Sequence, residues 1–442
     1  MEEKTNPWAA RFELLLNPAV IRQRAQVTIS PLTDLAEMPV DLACKRLEMA
    51  LDTIFHPTTQ CVAVLQRLAG IAHAHCVVSY PDTKTFLGGL YSNDPPLPTF
   101  SPPVCLTGLG GVGKTKLMEA FRRVQFPNQE ILVDAGHSPF PLNKAWSVTI
   151  QARSAPKDVL RFLAGSDGKP AELINKCRKL GFRDGIPFIL ADEFQFATGS
   201  ESANARVTQM LLSLGYIGIP FIFAANYSLL HRLYRRPEEE QQRLLSNTLV
   251  LIPDAWTSLD WVDTLEAQRV VAPDYFKYDS KGGAKDFHAY SAGRKRAMAK
   301  LLVIAFRTEH ARGGIVDHRA IRLAYESSEY ARYKDQAEIL SAQAIQHRPD
   351  KNRKDLWCPI PAEATKAQEF LDFTISARQE KFAAAELESA LTGSERRKIR
   401  EIRNGEFKKT KTSGKVVPIG RKASPTAEDL KRNANWYRDQ IE

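Results

Sequence analysis

Glycines, a lysine and a threonine between residues 104 and 115 form a pattern that can bind phosphate. The sequence there is VCLTGLGGVGKT, with Gly108, Gly113, Lys114 and Thr115 at the spacing G-x-x-x-x-G-K-[ST]. Glycines let successive backbone N–H groups face phosphate oxygens, and the N-terminus of the following helix adds partial positive charge. Lys114 can reach the β- and γ-phosphates, and the Thr115 hydroxyl can ligate Mg²⁺. The other residues assigned to this loop are Gly110, Gly111, Val112 and Lys116. The pattern predicts a site for ATP with Mg²⁺.

Two adjacent carboxylates end a second apolar run. Residues 186–196 read IPFILADEFQF, in which the run has the length of a buried strand and ends at Asp192 and Glu193. We expect Asp192 to hold Mg²⁺ through its water shell and Glu193 to polarise the attacking water. Adjacent acids also occur at ordinary solvated strand ends, so the assignment depends on the phosphate loop upstream. The pair favours hydrolysis over phosphoryl transfer to a small molecule.

A polar residue also ends the next apolar run. Residues 218–226 read GIPFIFAAN, which places Asn226 at the C-terminal tip of a predicted strand. Ligands of an open parallel sheet lie beyond the carboxyl ends of its strands, so Asn226 is expected beside Asp192, where it can orient the water near the γ-phosphate. The alternative is an ordinary turn, since asparagine is a common turn former.

Alternating strand and helix patterns predict the fold. Further strands are expected at residues 131–136 (ILVDAG) and 249–253 (LVLIP), which makes five with the three apolar runs above. Helices are predicted at residues 114–124, 156–181, 204–214 and 229–246. This alternation is typical of a doubly wound α/β domain with a parallel sheet. Helical periodicity continues over residues 291–310 and 316–333, the second with Asp317 as its cap, and predicts a small helical lid.

Arginines concentrate after the third apolar run and again at the start of the lid. The first group includes Arg235, Arg236 and Arg243, close to glutamates 238–240. These arginines either form a solvated amphipathic helix or supply an arginine finger to the γ-phosphate of a neighbouring subunit, which requires a ring or filament. In the second group, Arg294 at the head of a lid helix either covers the bound nucleotide or belongs to a surface basic patch.

With these motifs in place, the sequence resembles AAA+ ATPases, whose layout is a five-stranded core followed by a helical lid. Within them it looks like the TnsC/TniB family, the regulators of heteromeric bacterial transposons, and is more distantly similar to MuB. The closer resemblance covers residues 40–345 and is carried by the region from Arg46, the DEXQ-like box of Asp192, Glu193 and Gln195, and the arginine-rich segment. It implies an ATP-dependent homo-oligomer, a ring or helical filament, on double-stranded DNA with little sequence preference. It also implies that the protein recruits a transposase to a target chosen by a target-selector protein.

Charge is unevenly distributed along the 442 residues, whose formal net charge is +10. Residues 1–100 hold 8 basic and 10 acidic residues, whereas residues 394–422 hold 11 basic and 3 acidic residues. This basic segment of low hydrophobicity is typical of a flexible tail, which either tracks phosphates, docks on a partner or is a plain spacer. Trp436 and Tyr437 near its end suggest a short docking element, with the transposase as the expected partner.

Cysteine spacing, apolar runs and predicted domain boundaries give the remaining expectations. The six cysteines show no C-x-x-C spacing and indicate reduced thiols, and neither a signal peptide nor an apolar run near 18 residues is evident. We therefore expect a soluble protein without a membrane partner, in the bacterial cytoplasm and associated with the nucleoid. The predicted domains are an N-terminal extension that contacts a partner, an α/β core, a helical lid and a basic tail, at residues 1–95, 96–255, 256–346 and 347–442.

Two other readings share the nucleotide motifs. One is a different AAA+ DNA factor, such as a helicase or a replication-origin loader, which would be indifferent to transposon ends and transposase. The other is a signalling NTPase switch or a nucleotide kinase without a nucleic-acid role. The basic tail and the adjacent acids count against the second reading.

Overall fold

The computed structural model describes residues 6–150, 154–192, 201–346 and 348–360, with the side chains of residues 201–204 left out. All of these residues belong to one compact unit, Met1–Ala377, and the second unit, Arg378–Glu442, lies outside the described residues. The predictions for Glu193, Gln195, the basic tail and its aromatic end therefore fall outside the described residues and stay predictions.

Five parallel strands form the central sheet, in the order β4-β5-β6-β1-β7. The strands of the described chain are β1 (Val104–Gly108), β2 (Gln129–Ile131), β3 (Phe140–Leu142), β4 (Trp146–Thr149), β5 (Ile189–Asp192), β6 (Phe221–Ala225) and β7 (Asn247–Leu251). Strands β1 and β6 are buried along their whole length, as continuous apolar runs in a parallel sheet require. The predicted α/β fold class is confirmed, with a five-stranded parallel sheet followed by helices, whereas its assignment to the AAA+ type stays a prediction.

Helices precede the sheet, connect its strands and form the lid. Those before and within the sheet are α1 (Pro7–Glu13), α2 (Pro18–Ala25), α3 (Val40–Thr53), α4 (Thr59–Ser79), α5 (Thr83–Tyr91), α6 (Lys114–Val124), α7 (Pro156–Ala164), α8 (Pro170–Arg183), α9 (Glu201–Gly215), α10 (Tyr227–Leu233) and α11 (Glu238–Leu245). The lid contains α12 (Leu259–Arg269), α13 (Ala284–Ser291), α14 (Lys295–Glu309), α15 (His318–Glu326) and α16 (Ala331–Gln346). As predicted, Asp317 caps α15, because its Oδ1 accepts from the Ala320 N–H at 2.8 Å.

The predicted strand at residues 131–136 is wrong. Only Ile131 lies in a strand there, in the antiparallel β2–β3 pair, and Leu132 is 68% exposed. The sheet position is filled instead by β4, which pairs with β5 alone. An edge strand is buried incompletely, so β4 lacks the long apolar run by which the inner strands are recognised.

Two predicted helices are each divided in the structure. The segment 156–181 contains α7 and α8, because Gly165 ends α7 with φ of +60° and Pro170 begins α8. The segment 229–246 contains α10 and α11, which are separated at Pro237. The hydrophobic periodicity of the sequence continues across both breaks and therefore does not reveal them. The glycine and proline residues determine where these helices end and begin.

Two hydrophobic cores organise the compact unit. The first surrounds the sheet and includes α1, α2 and α4 from the segment before β1. The second lies in the lid, and α3 from that same early segment packs into it against α14. Ala337 and Leu340 of α16 already lie in the first core, and Leu356 and Ile360 after it pack there too, so both ends of the described chain cross between core and lid. The partner contact predicted for residues 1–95 and the predicted domain boundaries stay predictions.

Helix α4 is long and apolar enough to cross a membrane by length and composition, which the search for apolar runs did not foresee. Half of its most apolar window is buried inside the protein, and α4 packs against α1 and α2. The buried half of α4 therefore belongs to the first core. Free thiols are present at all six cysteines, of which five are buried and Cys358 is half-buried.

Candidate nucleotide-binding site

The phosphate loop leaves β1 at Gly108 and enters α6 at Lys114. A Cβ at Gly108 would lie 2.4 Å from the Leu251 carbonyl oxygen of β7, so only glycine lets the two strands run this close. Gly113 precedes α6 with φ of +112°, a conformation that favours glycine. Val112 anchors the loop in the core, whereas Gly110 has open space around it. The loop is thus fixed at both ends and open at its tip.

The basic residues of the loop have defined contacts. Lys114 Nζ donates to the carbonyl oxygens of Gly108 at 2.8 Å and Leu109 at 3.0 Å, which holds the ammonium over the loop. Lys116 faces acids instead, with Nζ at 3.2 Å from Asp52 and 3.5 Å from Glu119. The role of Lys114 as a phosphate ligand stays a prediction, and the charge of Lys116 is balanced by carboxylates. The assignment of Lys116 to the nucleotide stays a prediction.

The sheet brings Asp192 and Asn226 to the same edge as the phosphate loop. Asp192 ends β5 and Asn226 follows β6, which lies between β5 and β1. The Asp192 carbonyl oxygen accepts from the Ile150 N–H at 3.0 Å, which fixes the backbone beneath its carboxylate. Glu193 follows Asp192 directly in sequence, outside the described residues. The roles given to Asp192, Glu193 and Asn226 stay predictions.

Asn226 has a local structural role as well. Its Oδ1 accepts from the Leu229 N–H at 3.1 Å and from the Ser228 hydroxyl at 2.8 Å, so it caps α10. Both hydrogen bonds use the side-chain oxygen, so the structure accounts for this oxygen as a helix cap. The role of Asn226 near the γ-phosphate stays a prediction.

Oxygen donors at this edge suit a magnesium ion. The Thr115 hydroxyl lies at the start of α6 and the Asp192 carboxylate at the end of β5. Mg²⁺ prefers a few oxygen ligands together with substrate phosphates and water, which matches this donor set. Among the described residues no group of three His, Cys, Asp or Glu side chains could hold a metal without such help.

Arg294, expected over the nucleotide, is buried in the lid with 3% of its surface exposed. Its guanidinium donates to the Ser291 carbonyl, to Gln336 Oε1 at 2.5 Å and to the Tyr333 carbonyl at 3.3 Å. Burial lowers the pKa of this guanidinium. These contacts join α14 to α16, and the geometry gives Arg294 a structural task. Its contact with nucleotide stays a prediction.

Arg296, which the sequence reasoning missed, touches the phosphate loop. Its backbone N–H donates to the Gly111 carbonyl at 3.2 Å, and a Cβ at Gly111 would lie 3.1 Å from the Arg296 Cβ. Its side chain is exposed. The head of the lid helix was recognised from sequence, but its three consecutive cations could not be ranked without the turn that buries Arg294.

The three arginines proposed as fingers differ in their surroundings. Arg236 pairs with Glu240, with Nε at 2.8 Å from Oε2. Arg243 is exposed and lies 5.9 Å from the centre of the Phe100 ring, and Arg235 is exposed in the turn between α10 and α11. The geometry therefore favours Arg235 and Arg243 over Arg236 as side chains that can reach another protomer.

Comparisons with known proteins give only weak structural similarities. No protein-family model matches the chain, and the comparison with curated proteins gives no match. The structure is similar to the Aeropyrum pernix Orc1 protein in complex with DNA, at 18% identity over 70% of this chain and 76% of that chain, with a TM-score of 0.37. It is also similar to C. elegans PCH-2, at 14% identity over 64% and 71% of the two chains, with a TM-score of 0.35. Domain III of the Thermotoga maritima replication initiation protein DnaA matches at 14% identity over 55% and 88%, with a TM-score of 0.30. These values are too low to transfer any activity.

Proposed function

We propose that this protein is an AAA+ ATPase that regulates DNA transposition. It binds ATP with Mg²⁺ and assembles on double-stranded DNA. There it recruits a transposase to a target site that a target-selector protein has chosen. One observation carries the ATPase part of this proposal. The phosphate loop, Asp192 and Asn226 follow three adjacent parallel strands and lie at one edge of the sheet, where α/β proteins bind their ligands.

Each group at this edge has a distinct task in hydrolysis. With ATP and Mg²⁺ bound, Lys114 and the loop N–H groups would neutralise the β- and γ-phosphates, and Thr115 with Asp192 would hold Mg²⁺. Glu193 polarises the water that attacks the γ-phosphate, and Asn226 orients that water. The Arg296 N–H bonds to Gly111 of the loop and the Arg296 side chain is exposed, which supports a role for this cation at the phosphates. Hydrolysis serves as the switch between the assembled and the dispersed protein.

Assembly completes the site in this proposal. Arg235 or Arg243 of one protomer reaches the γ-phosphate bound by the next, and a fixed planar cation there stabilises the charge of the transition state. Exposure of both side chains supports the assignment. Turnover therefore depends on a ring or filament, and the DNA is the surface on which it forms.

The transposition role rests on the sequence resemblance and on charge. A net charge of +10 supports binding to a polyanion with little base recognition. The place of action that fits this role is the bacterial cytoplasm, in association with the nucleoid.

Two assays test the proposal. The first measures ATP hydrolysis and DNA mobility shift for the wild-type protein and for Lys114→Ala, and we expect the variant to lose both. The second adds the cognate transposase and transposon-end DNA, and we expect strand transfer to require this protein with ATP. Hydrolysis and DNA binding without any effect on strand transfer would point to another AAA+ DNA factor. Unchanged ATP affinity and hydrolysis in Lys114→Ala would refute the ATP site itself.

A further inference from the structure

We propose that Asp254 acts through Lys295 to hold Arg296 against the phosphate loop, and is thus a positioning residue for the nucleotide. This inference rests on the proposed ATP site. Asp254 lies in the connection between β7 and α12, and Lys295 is the first residue of α14. Lys295 Nζ is 3.4 Å from Asp254 Oδ2, and the two side chains are 23% and 10% exposed. The pair joins the end of the sheet to the head of the lid helix.

The head of α14 lacks the negative charge that a helix start normally carries. Its N-cap, Arg294, makes no side-chain cap hydrogen bond, and its first turn contains no acidic residue. Arg294, Lys295 and Arg296 instead put three cations beside the positive end of the helix dipole, which is unfavourable. Asp254 supplies the missing carboxylate from another part of the chain. Without it, the positive charge of the first turn is uncompensated.

Asp254 is itself fixed by the turn that it supports. The carbonyl oxygen of Asp254 lies 3.1 Å from His288 Nε2 at the end of α13. Burial lowers the pKa of His288 to about 4, so the ring is neutral near pH 7 and can donate this hydrogen bond. A Cβ at Gly293 would lie 2.8 Å from the Pro253 Cβ, which shows how closely the connection packs under the α13–α14 turn. The carboxylate therefore has a defined position from which to hold Lys295.

The charge of the pair depends on both members. Burial raises the pKa of Asp254, and the largest effect in the opposite direction is that of Lys295. Two further ionisable groups act on this carboxylate: Asp260 raises its pKa and His56 lowers it. One residue beyond Lys295, the Arg296 N–H donates to Gly111 in the phosphate loop. A carboxylate outside the loop thus determines where the lid contacts the loop.

A double-mutant cycle tests whether Asp254 acts through Arg296. We expect Asp254→Asn and Arg296→Ala each to raise the ATP KM roughly tenfold, the size of effect that one or two kcal/mol produces. In the double variant the second change should add little, because the position of Arg296 no longer matters once its guanidinium is gone. Asp254→Glu, which keeps the charge, should recover much of the affinity. The proposal would be overturned if the fold-changes in KM of the two single variants multiplied in the double variant. An unchanged KM in Asp254→Asn would overturn it as well.

Hydrogen exchange tests the positioning without relying on ATP turnover. In the full-length protein, Asp254→Asn should speed amide exchange in peptides that contain residues 294–298, because the Arg296 N–H loses its fixed acceptor. Glu329→Gln is the matched control, since this lid carboxylate pairs with Arg307 at 2.7 Å and not with the first turn of α14. Lys295→Gln provides the second variant if Asp254→Asn does not fold. Unchanged exchange at α14 in a folded Asp254→Asn or Lys295→Gln protein would overturn the inference, whereas a wild-type protein without ATPase activity would refute only the proposed function.

Discussion

Substitution of Gly108 by alanine tests the geometry of the phosphate loop. The added Cβ would lie 2.4 Å from the Leu251 carbonyl oxygen and 3.2 Å from Val112 Cγ1, and the first contact is with backbone of a neighbouring strand. Backbone cannot rotate away as a side chain can, so β1 and β7 must separate. Overpacking of this kind costs about 1–3 kcal/mol. We expect Gly108→Ala to lower the thermal midpoint by several degrees and to weaken ATP binding, since the Gly108 carbonyl also accepts from Lys114.

Gly110→Ala is the matched control for this experiment. A Cβ there meets nothing within 4 Å, and Gly110 is not among the glycines with positive φ. Its stability should stay within about 0.5 kcal/mol of the wild type. Thermal unfolding at one fixed scan rate, with and without ATP, compares the two variants directly. Equal midpoints for Gly108→Ala and the wild type, or an equal loss in both variants, would refute the assigned contact between β1 and β7.

Three further predictions concern hydrolysis, DNA and assembly. Glu193→Gln should bind ATP but hydrolyse it poorly and stay longer on DNA, as measured by turnover and mobility shift; loss of ATP binding would contradict its role. DNA affinity should require ATP and fall steeply with salt, with a log–log slope of about −0.9 for each neutralised phosphate; a salt-insensitive complex would contradict phosphate-dominated binding. Arg235→Ala or Arg243→Ala should be inactive alone and regain some ATPase activity when mixed with Glu193→Gln, because a mixed interface restores one complete site. Arg236→Ala should instead keep its ATPase activity without a mixing partner, because the Arg236 guanidinium is held by Glu240 within its own protomer.

The motifs with fixed spacing could be predicted from the sequence, and the contacts that depend on tertiary geometry could not. The phosphate loop, the start and end of α6, and the apolar runs of β1, β5 and β6 follow from glycine chemistry and continuous hydrophobicity. Strand β4 could not be predicted from the sequence, because an edge strand is only partly buried and lacks a long apolar run. The strand predicted in its place contains Leu132, which is exposed.

Only the structure shows which of the three cations at the head of α14 is buried and which is exposed. Residues 294–296 are all basic, and sequence alone cannot show that the α13–α14 turn buries the first of them. Asp254 was equally hidden, because it compensates a helix start more than 40 residues further along the chain only after the lid folds back on the sheet. Long-range ion pairs leave no local pattern by which they could be recognised.

The crossing of both chain ends between core and lid has a mechanical consequence. Helix α3 precedes the phosphate loop yet packs on α14, while the segment after α16 returns to α10, where His231 Nε2 lies 3.0 Å from the Trp357 carbonyl oxygen. The lid is therefore held to the sheet by these two contacts, by the β7–α12 connection and by α16, whose Ala337 and Leu340 lie in the core around the sheet. Because these connections act in parallel, a displacement of α14 at the loop strains them together. We expect such a lid to move in a single coordinated step that also displaces α3 and the segment after α16.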